Sequence, residues 1–258
     1  MPIPERAIGP AILAVAFAVN GLHNHTAFGV QSGHMPGLYP IVFFIGIGVI
    51  LPALALGRAV RREPSVARPL GAALGWRDAA ALLTALAIGG ALAAKPLAPI
   101  FAQPDGPARI LTLFAQLLMA STAEVALFLG ATGLALRAWL GGRHDWRFGL
   151  LLVVVSSLLF AAFHFTYPTP WNTLGNATTV GVVWLAVSAL FAVTRSLVAA
   201  VLLDNIMATV GFATRDLTLP LSPTMSMLLA VLAAAAFAAA FTWARRAARP
   251  ALPSPAPR

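Results

Sequence analysis

Apolar runs long enough to cross a bilayer recur eight times in this 258-residue chain, at about 7–22, 38–57, 79–94, 109–140, 148–166, 177–194, 197–213 and 224–244. A helix needs about 20 apolar residues to span the hydrocarbon layer. A soluble fold would have to bury all of these runs beneath a polar shell. With 59% of residues hydrophobic and 10% charged, the chain has no such shell. The runs predict an all-α fold, a polytopic transmembrane bundle of about eight helices. Glycine and proline inside several runs fit this, because helices buried in lipid tolerate both better than soluble helices do. The fourth run is long enough for a tilted or broken helix, or for a re-entrant entry.

Basic residues record the orientation. With the N-terminus cytoplasmic, the segments on that side carry Arg6, Arg58, Arg61, Arg62, Arg68, Arg77, Arg137, Arg143, Arg147, Arg195, Arg245, Arg246, Arg249 and Arg258. The opposite side keeps Lys95, Arg109 and Arg215. Fourteen against three is a strong positive-inside bias, and removing one span would scramble it. Both termini are then cytoplasmic. The net charge of +9 becomes a topology record and not a nucleic-acid footprint, which would gather cations on one stripe. The expected setting is the bacterial inner membrane, with lipid as the first partner. Met1 to Arg6 lead into a retained first span and not a cleaved leader. Residues 1–248 read as one transmembrane domain, and 249–258, rich in Pro, Ala and Ser, as a disordered cytoplasmic tail. The chain has no cysteine, hence no disulfide, thiolate metal site or Cys nucleophile. Nothing in it sets an oligomeric state.

Ionisable groups inside lipid are costly and ask for a reason. Six of the eight acids fall in loops or at helix ends; Glu124 and Asp204 fall within apolar runs. Among five histidines, His164 alone is embedded in a long one. At about 1.5 Å per residue, Glu124 lies roughly 20 Å from Arg137 and His164 roughly 25 Å from Arg147, so these two can share a layer. Asp204, about 13 Å from Arg195, reads as shallower. Such groups can be packing hydrogen bonds to neighbouring Ser, Thr or Asn. They also offer chemistry: a carboxylate can take a proton from water, and an imidazole can hold that water and later donate the proton.

The segments that carry these residues resemble a known family. Ala123-Glu124-Val125-Ala126-Leu127-Phe128-Leu129-Gly130, continuing to Arg137, resembles the first motif of the CPBP family of intramembrane proteases, which includes the CAAX prenyl proteases and the Abi proteins. That motif reads Glu-Glu-x-x-x-Arg-Gly. Phe160 and His164 match the second motif, Phe-x-x-x-His, and the run from Thr194 to Asp204 resembles the approach to the third, His-x-x-x-Asn. The resemblance covers about residues 110–210. It implies a glutamate-dependent intramembrane endopeptidase without a required cofactor, acting on a membrane-associated peptide or protein. Glu124 would activate water, His164 would assist, and Asp204 or Asn205 would lie near the scissile carbonyl. The match departs from the motifs at Val125 for the second Glu, Leu129 for the Arg, Asp204 for the third-motif His and Ala208 for its Asn. An aspartate there can donate to an oxyanion only when protonated. Asn205 points about 100° away from it on a helix. The alternatives are a catalytically inactive member that binds a peptide or partner helix, and a small proton-coupled transporter with Glu124, His164 and Asp204 as its relay.

Other features are weaker. Glu124, His164 and Asp204 could hold a metal with an open position. His23, His25 and His34 lie in what reads as a short loop, and imidazoles alone can take zinc or copper. Tyr167-Pro168-Thr169-Pro170-Trp171 forms a rigid loop, read as an aromatic belt anchor ahead of a lid over a polar chamber. Arg58, Arg61 and Arg62 read as an anchor for anionic headgroups. No phosphate loop, Gly-x-Ser-x-Gly elbow or His-Glu-x-x-His helix occurs, which removes the soluble hydrolase and ATPase readings.

Overall fold

The computed structural model describes residues 5–25, 40–72, 75–169, 171–217 and 222–246. His34 and the expected tail at 249–258 lie outside the described residues. Eight helices are long and apolar enough to cross a membrane, and among the described residues there is no strand. In chain order they are α1 (Glu5–His25), α2 (Ile41–Arg62), α3 (Trp76–Phe101), α4 (Gly106–Trp139), α5 (Trp146–His164), α6 (Leu174–Thr194), α7 (Leu197–Thr214) and α8 (Pro223–Arg246). The chain is an integral membrane protein built as a helix bundle. Leu83, Leu111, Leu158, Val182 and Val231 stand exposed on the outside, as side chains facing hydrocarbon should.

Boundaries move where local chemistry permits. α3 continues to Phe101 through Pro96 and Pro99, a course that an apolar surround tolerates. α1 runs on to His25, so His23 and His25 sit in a last helical turn and not in a loop. α5 starts at a true cap: Asp145 accepts from the backbone N–H of Arg147 and Phe148. Ser196 caps α7 in the same way through Ala199.

The long fourth run is one helical course, about 50 Å at the usual rise, and so much longer than the hydrocarbon is thick. It is neither broken nor re-entrant. Its middle, Ala126–Ala131, widens into a π-helical turn, a form that recurs beside functional sites. All six residues of that turn are buried, because α1, α2 and α5 close around it. Phe128 lies at the centre, with its ring centroid 5.3 Å from Phe160, 5.2 Å from Phe163 and 6.0 Å from Trp184. Phe160 stacks on Trp184 at 3.9 Å. α4 also packs against α7 and α8 through its first half, which makes it the axis of the bundle.

Candidate active site

Glu124 is one residue short of the end of the α-helical first half of α4, immediately before the π turn. Its position is set by a close approach of α2. A Cβ on Gly48 would come within 2.5 Å of the Ala123 Cβ, so only glycine lets α2 lie this near. Glu124 is half-buried, whereas Asp204 on α7 is buried, at 4% exposure.

Asp204 lies on α7, which packs against the half of α4 that carries Glu124. The Ser121 hydroxyl stands between α4 and α7, 3.4 Å from Asn205 Oδ1 and within hydrogen-bonding reach of the Asp204 carboxyl. Asp204 Oδ2 is buried and has no hydrogen-bond partner among the described residues. A buried carboxyl oxygen left in that state is costly unless something else fills the role.

The far side of Glu124 is covered by a tyrosine. Tyr167, in the turn after α5, donates its hydroxyl to Glu124 Oε1 at 3.3 Å. Its ring lies 5.3 Å from the His164 ring and 5.4 Å from Phe163. Tyr167 thus lies against the polar interior. Trp171 stacks on Phe212 at 5.3 Å and lies under the Arg215 guanidinium, also at 5.3 Å.

His164 is the last residue of α5, buried at 7% exposure. Its Nδ1 lies 2.9 Å from the Phe160 carbonyl oxygen. A carbonyl can only accept, so Nδ1 carries the proton and Nε2 is the acceptor of the neutral ring. The ring packs on Phe160, Tyr167 and Trp171. His164 is joined to Glu124 through Tyr167. Asn205, buried completely, binds elsewhere: its amide donates to the Phe114 carbonyl at 2.9 Å and its oxygen faces Ser121, which ties α7 to α4.

Sequence reasoning missed the two residues that complete this site. Ser121 precedes Glu124 by one helical turn, a spacing that puts both on one face and could have revealed it. Tyr167 carried no comparable signal, because a tyrosine after a span is also the mark of an interface belt. Among the described residues no three His, Asp or Glu side chains gather as a group that could hold a metal ion.

Three of the four departures from the motif pattern are packed as apolar residues. Val125 and Leu129 are each 1% exposed inside the main core. Ala208 packs in a smaller cluster between α3, α4 and α7. The chain matches no family model, no curated protein and no solved structure.

Proposed function

We propose that this protein is an intramembrane endopeptidase of the bacterial inner membrane, hydrolysing a peptide bond of a membrane-associated substrate with water activated by Glu124. The carrying observation is a pair of carboxyl residues on packed helices inside the bundle, Glu124 on α4 and the buried Asp204 on α7, whose Oδ2 has no partner among the described residues. Two such groups held close together cannot both be charged at little cost, so the pair shares one proton. Its charged member takes a proton from water as the water attacks the carbonyl carbon. Its neutral member donates to the carbonyl oxygen as negative charge develops there. With Glu124 as base, Asp204 is the donor, which resolves the difficulty of an aspartate at an oxyanion position. Tyr167 holds the Glu124 carboxyl in place. His164, with Nε2 as acceptor, assists the return of the proton to the leaving amine.

One observation favours a second reading, a non-catalytic member of the same fold that binds a peptide or partner helix. Val125, Leu129 and Ala208 replace polar motif positions by core packing, so part of the family's machinery is gone. The test is cleavage of a membrane-inserted reporter peptide by the purified protein in liposomes, comparing wild type with Glu124→Ala and His164→Ala. Loss of a general base is expected to cost about 100-fold or more. Cleavage unchanged by either substitution would sink the mechanism. A wild-type protein that binds the peptide without cutting it would favour the second reading.

A further inference from the structure

At the end of the bundle away from Tyr167, a cavity of about 140 Å³ opens beside the start of α3 and the end of α6. That is too small for a drug-sized ligand and has room for a single small polar group. Three arginines line it: Arg68 from the turn after α2, Arg77 from the first turn of α3, and Arg195 from the junction of α6 and α7. The Thr194 and Asp78 side chains complete the wall. Asp78 is turned to a local task, accepting the Gly75 N–H at 2.7 Å, and among the described residues it forms no ion pair with any of the three.

Arg195 is held in an unusual way. Its backbone is left-handed, φ 59°, a region that non-glycine residues enter at a cost. That turn swings the guanidinium over the Phe148 ring, 5.4 Å from its centroid. There its Nη1 is buried with no hydrogen-bond partner among the described residues. Arg195 forms no ion pair among the described residues, and burial pushes its pKa below the ordinary value. The cavity's depth relative to a membrane is marked by Trp76 in its wall, which is 79% exposed, and by the exposed Trp139 and Trp146 at the same end. Exposed tryptophans at helix ends sit at the headgroup level.

We propose that this cavity is a binding site for a phosphate group, and that the phosphate belongs to an anionic phospholipid of the adjoining leaflet. Arginine suits the role because its planar fork meets phosphate oxygens in pairs. Trp76 at the mouth decides between sources, since it holds the cavity where headgroups lie and not in open water.

The test uses the full-length protein in detergent, with native mass spectrometry reading retention of phosphatidylglycerol and, separately, of inorganic phosphate. Wild type is compared with Arg77→Gln, Arg195→Gln and, as an exposed control at the far end of α3, Lys95→Gln. Arg77 is exposed on the first turn of α3, so its variant keeps the fold if Arg195→Gln does not. The expectation is about tenfold weaker lipid retention for Arg77→Gln and Arg195→Gln, with Lys95→Gln unchanged. Equal retention by all four proteins would overturn the site. Inorganic phosphate held as tightly as the lipid would overturn the lipid source and leave a free phosphate as the ligand.

Discussion

The protein has two polar regions at different depths, and they use charge in opposite ways. Under Tyr167, the Glu124 and Asp204 carboxyls lie on packed helices and form no ion pair among the described residues, and one oxygen of Asp204 has no partner there. At the arginine-rich end, Glu63 pairs with Arg137, Arg137 Nε donates to His144 Nε2 at 3.3 Å, and Arg61 donates to the Ala244 carbonyl at 3.1 Å. The rim arrangement pairs its charges and ties α2, α4 and α8 together, although His144 Nδ1 is buried without a hydrogen-bond partner among the described residues. The inner carboxyls have no opposite charge beside them. Two charged carboxyls at that depth would oppose folding, and the proposed sharing of one proton removes that cost.

The sharpest way to break this contrast is to neutralise the inner pair. Glu124→Gln and Asp204→Asn should each lower reporter cleavage by about 100-fold or more. The double variant should be hardly worse than either single one, because groups that act as a unit are not additive. Both single variants should unfold no more easily than wild type, since each removes the buried charge that the pair otherwise holds. Additive losses of activity, or a marked loss of stability from either substitution, would mean that the carboxyls work separately or as structural bonds.

A second prediction moves Glu124 without changing it. Gly48→Val must push α2 away from Ala123, one residue before the glutamate. Overpacking of this kind costs about 1–3 kcal/mol. Cleavage should fall further than that stability loss explains, while Gly90→Val, where a Cβ meets nothing within 4 Å, should leave cleavage as it was. Equal effects at the two glycines would remove α2 from the positioning of Glu124.

The fold was readable from the sequence because lipid imposes one length and one periodicity. All eight runs became helices, and the acids within them marked the interior. What could not be read was which polar residues meet. Depth counted from an arginine placed Glu124 with His164 and left Asp204 shallow, but α4 is long and its middle is a π turn, so residue counts from its end do not measure depth. Asp204 and Glu124 are 80 positions apart, and their relative placement depends on how α4 packs on α7. Tyr167 reaches Glu124 from a turn that carries no periodicity at all. Removing that single hydroxyl tests the point: Tyr167→Phe should reduce cleavage about fivefold, the value of one ordinary hydrogen bond. An unchanged rate would return Tyr167 to a packing role.

The smallest effect is expected at the rim, and its sign can be worked out. The Ser65 hydroxyl and the Arg137 guanidinium hold the Glu63 carboxyl below its ordinary value. Its contribution to stability is therefore present above the unfolded carboxylate range and is lost as pH falls through the lower folded value. His144 is pushed down as well, by burial and then by Arg137, so the folded protein resists protonating it. That resistance lowers stability as pH falls through the unfolded imidazole value of about 6.5. Both groups make acid loosen the same end of the bundle, His144 first and Glu63 later. Glu63 is exposed and the pair is screened by salt, so the change is small. The midpoint of detergent-induced unfolding, followed from pH 7 downward, should fall in two shallow steps for wild type. His144→Gln should lose the upper step and Glu63→Gln the lower one. Two steps that persist in both variants would place the acid response in the inner carboxyl pair and erase the distinction between the regions.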